Sequence, residues 1–521
     1  MLKDGKVWIA QTEAGENVFL LPKMANRHGL VAGATGTGKT VTLKVLAESF
    51  SAMGVPVFMA DVKGDISGMM CPGTDSPEMQ KRIGRFGLAD AGFTYSGCPV
   101  TIWDIFGEQG IPLRTTISEI GPVLLARILQ LNPLQGDILS IVFKIADDSK
   151  LLLIDTKDLK AMLRYVSEHR TDFEGDYGKM SSQFLAAIMR AVVALELAGG
   201  DRFFGEPALQ ITDWLCQENG KGMIHILDSR SLIQNGTMYS TFLLWMISEL
   251  FETLPEVGDM AKPKMVFFFD EAHLLFHDAS KTLLDKIEQV VKLIRSKGVG
   301  IYFCTQNPAD IPDGVLAQLG NKIQHGLRAY TPADQKAVKA AAASYRANPA
   351  FDTEQTILSL GTGKAVVSFL GEDGVPGMAQ SVAILPPQSS MGAAPDTLRD
   401  QAVKGSMLYS KYAAYFDRDS AYEVLARQDE AEAKAAAQAA EEAERAKEEE
   451  KRLKEEAKLA EREERAKTRA VKSVGNSILG SVGRQVGREV GGKVLGSFGR
   501  AVGGNVGASI VRGIFGTFFK G

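Results

Sequence analysis

The sequence predicts an α/β protein built on a buried, mainly parallel sheet. Three observations carry this. First, short apolar runs such as "VPVFMAD", "MVFFFD" and "GVGIYFCT" are continuous rather than alternating, as in strands covered on both faces. Second, stretches with apolar residues at three and four spacing separate most of them, the pattern of helices between strands. Third, "GATGTGKT" (residues 33 to 40) stands between an apolar strand and an amphipathic stretch, where sheets of this class bind ligands at their carboxyl edge.

In chain order, "KVWIA" and "NVFLLP" read as two short strands, and "HGLVAGA" as a strand entering a Gly-rich turn. "TVTLKVLAESFSAMG" reads as a helix stopped at Gly54, followed by the strands "VPVFMADVKGD" and "CPVTIWDIFG". Residues 107–220 read mostly as helix, an insertion into the sheet protein. "GMIHILDS", "KMVFFFDEAH", "GVGIYFCTQ", "NKIQHGLRA" and "GKAVVSFL" supply five more strands. The expected divisions are a first part of the core (1–106), the helical insertion (107–220) and a second part of the core (221–390). After "PPQSSMGAAPDT" (386–397), a linker by composition, the linker (391–418) leads to a charged helix (419–470) and a tail (471–521).

Composition limits the functions on offer. Hydrophobic content of 45% and charged content of 23% suit a soluble globular protein, and 521 residues exceed one compact core. Cys71, Cys98, Cys216 and Cys304 lie outside metal-ligand spacing of one another. Four reduced thiols in a cytoplasmic protein, and no structural metal, are expected. No apolar run fits a signal peptide or an 18-residue membrane span. The net charge is −4, but residues 471–521 carry +6 and the remainder −10. An acidic body argues against a general nucleic-acid coat, so any DNA contact is expected to be local.

The charged stretch, "EAEAKAAAQAAEEAERAKEEEKRLKEEAKLAEREERAK", keeps no apolar heptad. It reads as a long solvated helix supported by i,i+4 ion pairs, with a coiled coil as the sharper reading. In the tail an apolar residue recurs at every fourth position from Val474 to Phe518, usually with Gly close behind. Gly costs about 1 kcal/mol against Ala in an isolated helix, so a regular spacing suggests close packing. Self-association or contact with a membrane surface or protein partner is one expectation; a low-complexity tail is the other.

The chemistry starts with GxxxxGK[ST]. Gly33, Ala34, Thr35, Gly36, Thr37, Gly38, Lys39, Thr40 and Val41 are expected to hold ATP. Gly lets the backbone aim successive N–H groups at phosphate oxygens, and the next helix adds its positive end. Lys39 would reach the β- and γ-phosphates, and the Thr40 hydroxyl would bind Mg2+. "MVFFFDEAH" brings Asp270 and Glu271 to a strand end: Asp270 for the Mg2+, Glu271 to orient and deprotonate the attacking water. A carboxylate directly after the metal-binding Asp favours ATP hydrolysis over a small-molecule kinase. Gln306, ending "YFCTQ", can bond a γ-phosphate or the attacking water. Arg295 and Arg328 are candidates for an arginine finger placed in a neighbouring subunit's site, Arg295 preferred; the bland reading of each is a surface Arg. A second "GTGK" at 361–364 lacks the remaining motif residues and reads as a turn.

Taken together, "NRHGLVAGATGTGKT", "ADVKGDISG", "FFFDEAHLLF", "LIRSKGVGIYFCTQNPADIPDGVLAQLGNKIQHGLRA" and "GKAVVSFL" resemble the HerA/FtsK superfamily of P-loop motors. More narrowly they resemble the HerA-like bacterial proteins of the YjgR type. The resemblance covers about residues 1 to 390. It implies a RecA-like P-loop NTPase core and assembly as a homo-oligomeric, usually hexameric, ring with sites between subunits. It also implies that Asp61 sits beside the nucleotide, that Glu271 is the catalytic carboxylate, Gln306 the sensor and Arg295 the trans-acting finger. HerA itself is similar to a DNA-end-processing translocase, but Gly33 stands too early here for that protein's N-terminal barrel. Two functions are therefore expected to compete: a ring motor that moves DNA, and a non-translocating ATPase whose nucleotide state controls assembly on a membrane or protein partner.

Overall fold

The computed structural model describes residues 1–276 and 281–474; the tail beyond them, with its four-residue repeat, lies outside the described residues. Its strands are β1 (Leu2–Lys3), β2 (Lys6–Thr12), β3 (Asn17–Leu20), β4 (Gly29–Ala32), β5 (Val57–Asp61), β6 (Val100–Asp104), β7 (Ile111–Pro112), β8 (Gln217–Glu218), β9 (Lys221–Gly222), β10 (Ile224–Asp228), β11 (Met265–Phe269), β12 (Val299–Thr305), β13 (Asn321–His325), β14 (Lys364–Ser368) and β15 (Gln380–Ile384). All but β8 and β9 share one sheet, ordered β1-β2-β15-β14-β13-β4-β12-β11-β5-β10-β6-β7, with β3 also on β2. From β13 to β7 every pairing is parallel; from β13 outward to β1 every pairing is antiparallel. This is the α/β, RecA-like core with a mainly parallel sheet, and all ten expected strands are in it.

The continuous apolar runs are explained by two cores, one on each face. Phe267 and Phe269 of β11, with Phe58 of β5 and Ile301 and Phe303 of β12, belong to one. Val266 and Phe268, with Met59, Tyr302 and Cys304, belong to the other. Helices Ile117–Ile128, Pro133–Asp148, Thr156–Glu168, Ser182–Leu197 and Gly236–Thr253 contribute to the first core, so the expected helical stretch is helical and covers a sheet face. Helix α1 (Lys39–Ala52) contributes to the second.

The stretch 391–418, expected as a linker, is partly helical and partly buried. It carries helices at Asp396–Gly405 and Tyr409–Tyr412, and both Arg399 and Tyr412 are buried. Just before it, residues 388–391 are strapped to α1 by charges. Lys44 donates to the carbonyls of Asp65 (2.8 Å), Ser390 (2.9 Å) and Met391 (3.1 Å). Glu48 accepts from the backbone N–H of Gln388 and Ser389 (2.9 Å each) and from the Ser389 hydroxyl. Burial holds the Lys44 ammonium below its ordinary range, with Asp65 and Asp61 pulling the other way.

The charged helix runs Ala421–Val474. Residues up to Asp429 belong to one compact unit and a second begins at Glu430. Beyond Asp429 the helix carries exposed i,i+4 pairs, among them Arg445–Glu441 (2.5 Å) and Arg465–Glu461 (2.6 Å), as its sequence predicts. Among the described residues no single helix is long and apolar enough to cross a membrane.

Candidate nucleotide site

The parallel strands β4, β12 and β11 end side by side, with Ala32 opposite Thr305 and Phe269 opposite Phe303. Everything the sequence places after those strand ends is therefore brought to one edge. After β4 the chain turns through Gly33 (φ +151°), Gly36 (φ +79°) and Gly38 (φ +111°), a region that favours glycine. A Cβ on Gly33 would stand 2.5 Å from the Cβ of His325, so Gly33 also permits close approach. The loop is anchored at its flanks: Gly33 N–H to the Thr305 carbonyl (3.3 Å) and Ala34 N–H to the Gly326 carbonyl (2.9 Å). Helix α1 opens at Lys39 with no side-chain cap, leaving its first N–H groups to an anion. Lys39 Nζ lies over the loop, donating to the carbonyls of Gly33 (2.6 Å) and Ala34 (3.2 Å). Thr40 and Val41 follow in the first turn, half-buried.

His325 lies beneath this loop. Its ring bonds the Thr42 hydroxyl at one nitrogen (2.9 Å) and the Lys364 carbonyl at the other (3.0 Å). Burial pushes its pKa down to about 4, so the ring is neutral, donating to the carbonyl and accepting from Thr42.

Asp270 and Glu271 arrive beside Gln306. The Asp270 backbone carbonyl accepts from Tyr239 Oη (2.8 Å), and Asp270 Oδ1 accepts the Glu271 N–H (3.0 Å). Burial raises the Asp270 pKa, the adjacent Glu271 charge adds to the rise, and Lys63 opposes it. A buried acid beside a second acid suits a divalent cation. Among the described residues no group of three or more His, Cys, Asp and Glu is arranged to hold a metal ion by itself.

Glu271 has φ +48°, a left-handed backbone that costs a non-glycine residue about 1–3 kcal/mol. Gln306 Nε2 lies 3.4 Å from each of its carboxylate oxygens, and His273 Nδ1 stands 3.4 Å from Oε2 without forming a hydrogen bond. The other end of the Gln306 amide accepts from Thr35 Oγ1 of the P-loop (3.4 Å). One amide therefore spans the phosphate loop and the candidate base.

Of the remaining expected residues, Asp61 is engaged by its own loop, Arg295 lies at the opposite edge and Arg328 stands on the nucleotide edge. Asp61 ends β5 at the same edge, but its carboxylate is turned into its own loop. It accepts from the N–H groups of Lys63 (3.2 Å), Gly64 (2.6 Å), Ile66 (3.0 Å) and Ser67 (3.3 Å). Burial pushes its pKa up to about 6 against those bonds. Its role in the structure is to shape the loop that presents Lys63. Arg295 is exposed and starts the turn that enters β12 at the opposite edge of the sheet. Seven residues of β12 separate it from Gln306, about 20 Å of strand. Arg328 is exposed three residues past β13, on the nucleotide edge. Sequence reading missed His273, Lys63, Tyr239 and His325. The only advance signal was position, since His273 follows the acid pair and Lys63 follows a strand end.

A model of the family described as helicase HerA-like C-terminal matches residues 6–520. The curated relative "Probable helicase MJECL08" of Methanocaldococcus jannaschii is 30% identical over 146 residues, 27% of this chain and 26% of that one, so the chain spans about a quarter of that relative. Among solved structures the fold is similar to the plasmid coupling protein TrwB in complex with the non-hydrolysable GTP analogue GDPNP (TM-score 0.47, 16% identity, 74% of this chain and 92% of that one). It is also similar to VirB4 of Thermoanaerobacter pseudethanolicus (TM-score 0.46, 16% identity, 74% and 97%).

Proposed function

The chain belongs to the HerA-like helicase C-terminal family, and from that premise we propose that it is a Mg2+-dependent ATP hydrolase working as a homo-oligomeric, hexameric ring on DNA in the cytoplasm. The observation that carries the hydrolase reading is the convergence of Lys39, Asp270, Glu271 and Gln306 on one strand edge, with Gln306 bonded to both the P-loop and Glu271.

The chemistry follows from these groups. Loop N–H groups and Lys39 take up phosphate charge, and Thr40 and Asp270 would hold the Mg2+, which neutralises charge on the β- and γ-oxygens. Glu271 takes a proton from water as the water oxygen attacks the γ-phosphorus. The bond from that phosphorus to the bridging oxygen breaks, and ADP leaves with the electron pair. A γ-phosphate at this edge would compete with Glu271 for the Gln306 N–H groups. Loss of phosphate is thereby converted into a shift of Glu271.

The assembly reading, a non-translocating ATPase acting on a membrane or protein partner, draws on the long exposed helix Ala421–Val474. Steady-state ATP hydrolysis with and without single- and double-stranded DNA tests both, with Glu271→Gln as the blank. A several-fold rise with DNA that fades with salt supports the motor. Hydrolysis indifferent to DNA supports the assembly reading, and none above the blank overturns the hydrolase.

A further inference from the structure

The second "GTGK", Gly361–Lys364, is a turn before β14, and it rests on the P-loop. Gly363 N–H donates to the Thr37 carbonyl (2.9 Å), and the Thr362 hydroxyl reaches the Gly36 carbonyl (3.5 Å). Gly363 has φ +75°. A Cβ on Gly38 would lie 3.3 Å from the Gly363 Cα, so the two glycines meet back to back. The guanidinium of Arg82, from helix Pro77–Phe86, is packed on the same spot: a Cβ on Gly363 would stand 2.9 Å from it. Thr362 is exposed and Arg82 is 28% exposed, so both present polar groups at the surface of the loop.

The P-loop therefore has two flanks. At Thr35 it faces Gln306 and, through it, Glu271. At Gly36–Gly38 it faces Gly361–Lys364 and Arg82. A nucleotide whose terminal phosphate stands at the first flank has to extend its other end toward the second.

We infer that the Gly361–Lys364 turn and the Arg82 guanidinium form the nucleoside side of the site, Arg82 holding the ribose and base while the P-loop holds the phosphates. This rests on the nucleotide reading above. The chemistry suits it: a planar guanidinium stacks on a purine ring or bonds a ribose hydroxyl. Gly361 is exposed with open space beside it, and the guanidinium standing over Gly363 would meet a ligand lying across the turn.

The test is titration of the full chain with ADP and with inorganic tripolyphosphate, both with Mg2+, in wild type, Arg82→Ala and Lys39→Ala. Among the described residues Arg82 makes one ion pair, with the exposed Glu78 at 3.8 Å, so the Ala variant should keep its thermal midpoint. The expected result is a roughly tenfold loss of ADP affinity in Arg82→Ala with tripolyphosphate affinity unchanged. Equal losses for both ligands would move Arg82 to the phosphates and overturn the inference, as would no loss for either. Lys39→Ala is expected to lose both ligands. If it binds as wild type does, the nucleotide reading itself fails, and the nucleoside assignment with it.

Discussion

Glu271 concentrates the chemistry in one side chain and one strained backbone angle. At φ +48° it sits where glycine is at ease, which the fold tolerates because the turn after β11 is tied by the Ala272 N–H to the Cys304 carbonyl (2.9 Å). Glu271→Gln should bind ATP as wild type does and lose turnover by about a hundredfold or more, read by nucleotide titration beside phosphate release. Turnover near wild type would place the base elsewhere. Glu271→Gly should also be inactive yet unfold at a higher temperature, because it removes the left-handed penalty. His225 sets a different dependence. It is buried between Trp103, whose Nε1 donates to its Nδ1 (3.2 Å), and the Trp214 carbonyl at its Nε2 (3.0 Å). Burial pushes its pKa down to about 3, below the unfolded value of about 6.5. A depressed folded pKa gives a contribution fully present above pH 6.5 and lost as pH falls through 3. At pH 5 this one ring should have cost about 2 kcal/mol relative to pH 8. His225→Phe should start less stable at pH 8, having lost two hydrogen bonds, but its thermal midpoint should fall less between pH 8 and pH 5. An unchanged slope would mean that other groups carry the acid sensitivity.

Elements were legible where burial is apolar and hidden where it is polar. The ten expected strands owe their signal to side chains such as Phe267, Phe268 and Phe269, which face two cores in alternation. β15 escaped notice because "QSVAI" begins with two polar residues and pairs only antiparallel strands. The strap at 388–391 lies in "PPQSSMGAAPDT", which composition reads as a linker; its anchors are Lys44 and Glu48, charges that a helix ordinarily turns to water. Their partners are backbone groups, which no composition reveals. Asp61 stands at the expected edge, but its four bonds from backbone N–H groups of its own loop are of the same hidden kind. The motif residues 33–40, Asp270, Glu271 and Gln306 were legible because phosphate chemistry demands those residue types at a strand edge. Lys44→Ala tests the strap: it leaves three carbonyls short of a donor and should cost about 2–3 kcal/mol by chemical denaturation. It should also open residues 386–395 to limited proteolysis. A stable, protease-resistant variant would show that the strap is held by something other than this ammonium.

At the scale of the whole molecule, the proposed ring predicts that each site is completed by a neighbouring subunit. Within one chain the nucleotide edge holds a phosphate loop, an acid pair and Gln306, while Arg295 stands at the far edge of the same sheet, separated by the length of β12. Arg295 can therefore serve chemistry only in another subunit, whereas Arg328, three residues past β13, can serve its own. That difference is open to a mixing experiment. Arg295→Ala and Glu271→Gln should each be inactive alone while still binding ATP. In a mixed ring, an Arg295→Ala subunit keeps its own Glu271 and receives an intact Arg295 from a Glu271→Gln neighbour. In an equal, random mixture roughly a quarter of the interfaces have that order, so hydrolysis should return to a corresponding fraction of wild type. Arg328→Ala mixed with Glu271→Gln should show no return, because every site then lacks a group from its own chain. Recovery in the first mixture and not in the second would establish shared sites and assign the finger. No recovery in either would remove Arg295 from the mechanism and with it the strongest residue-level reason for a ring.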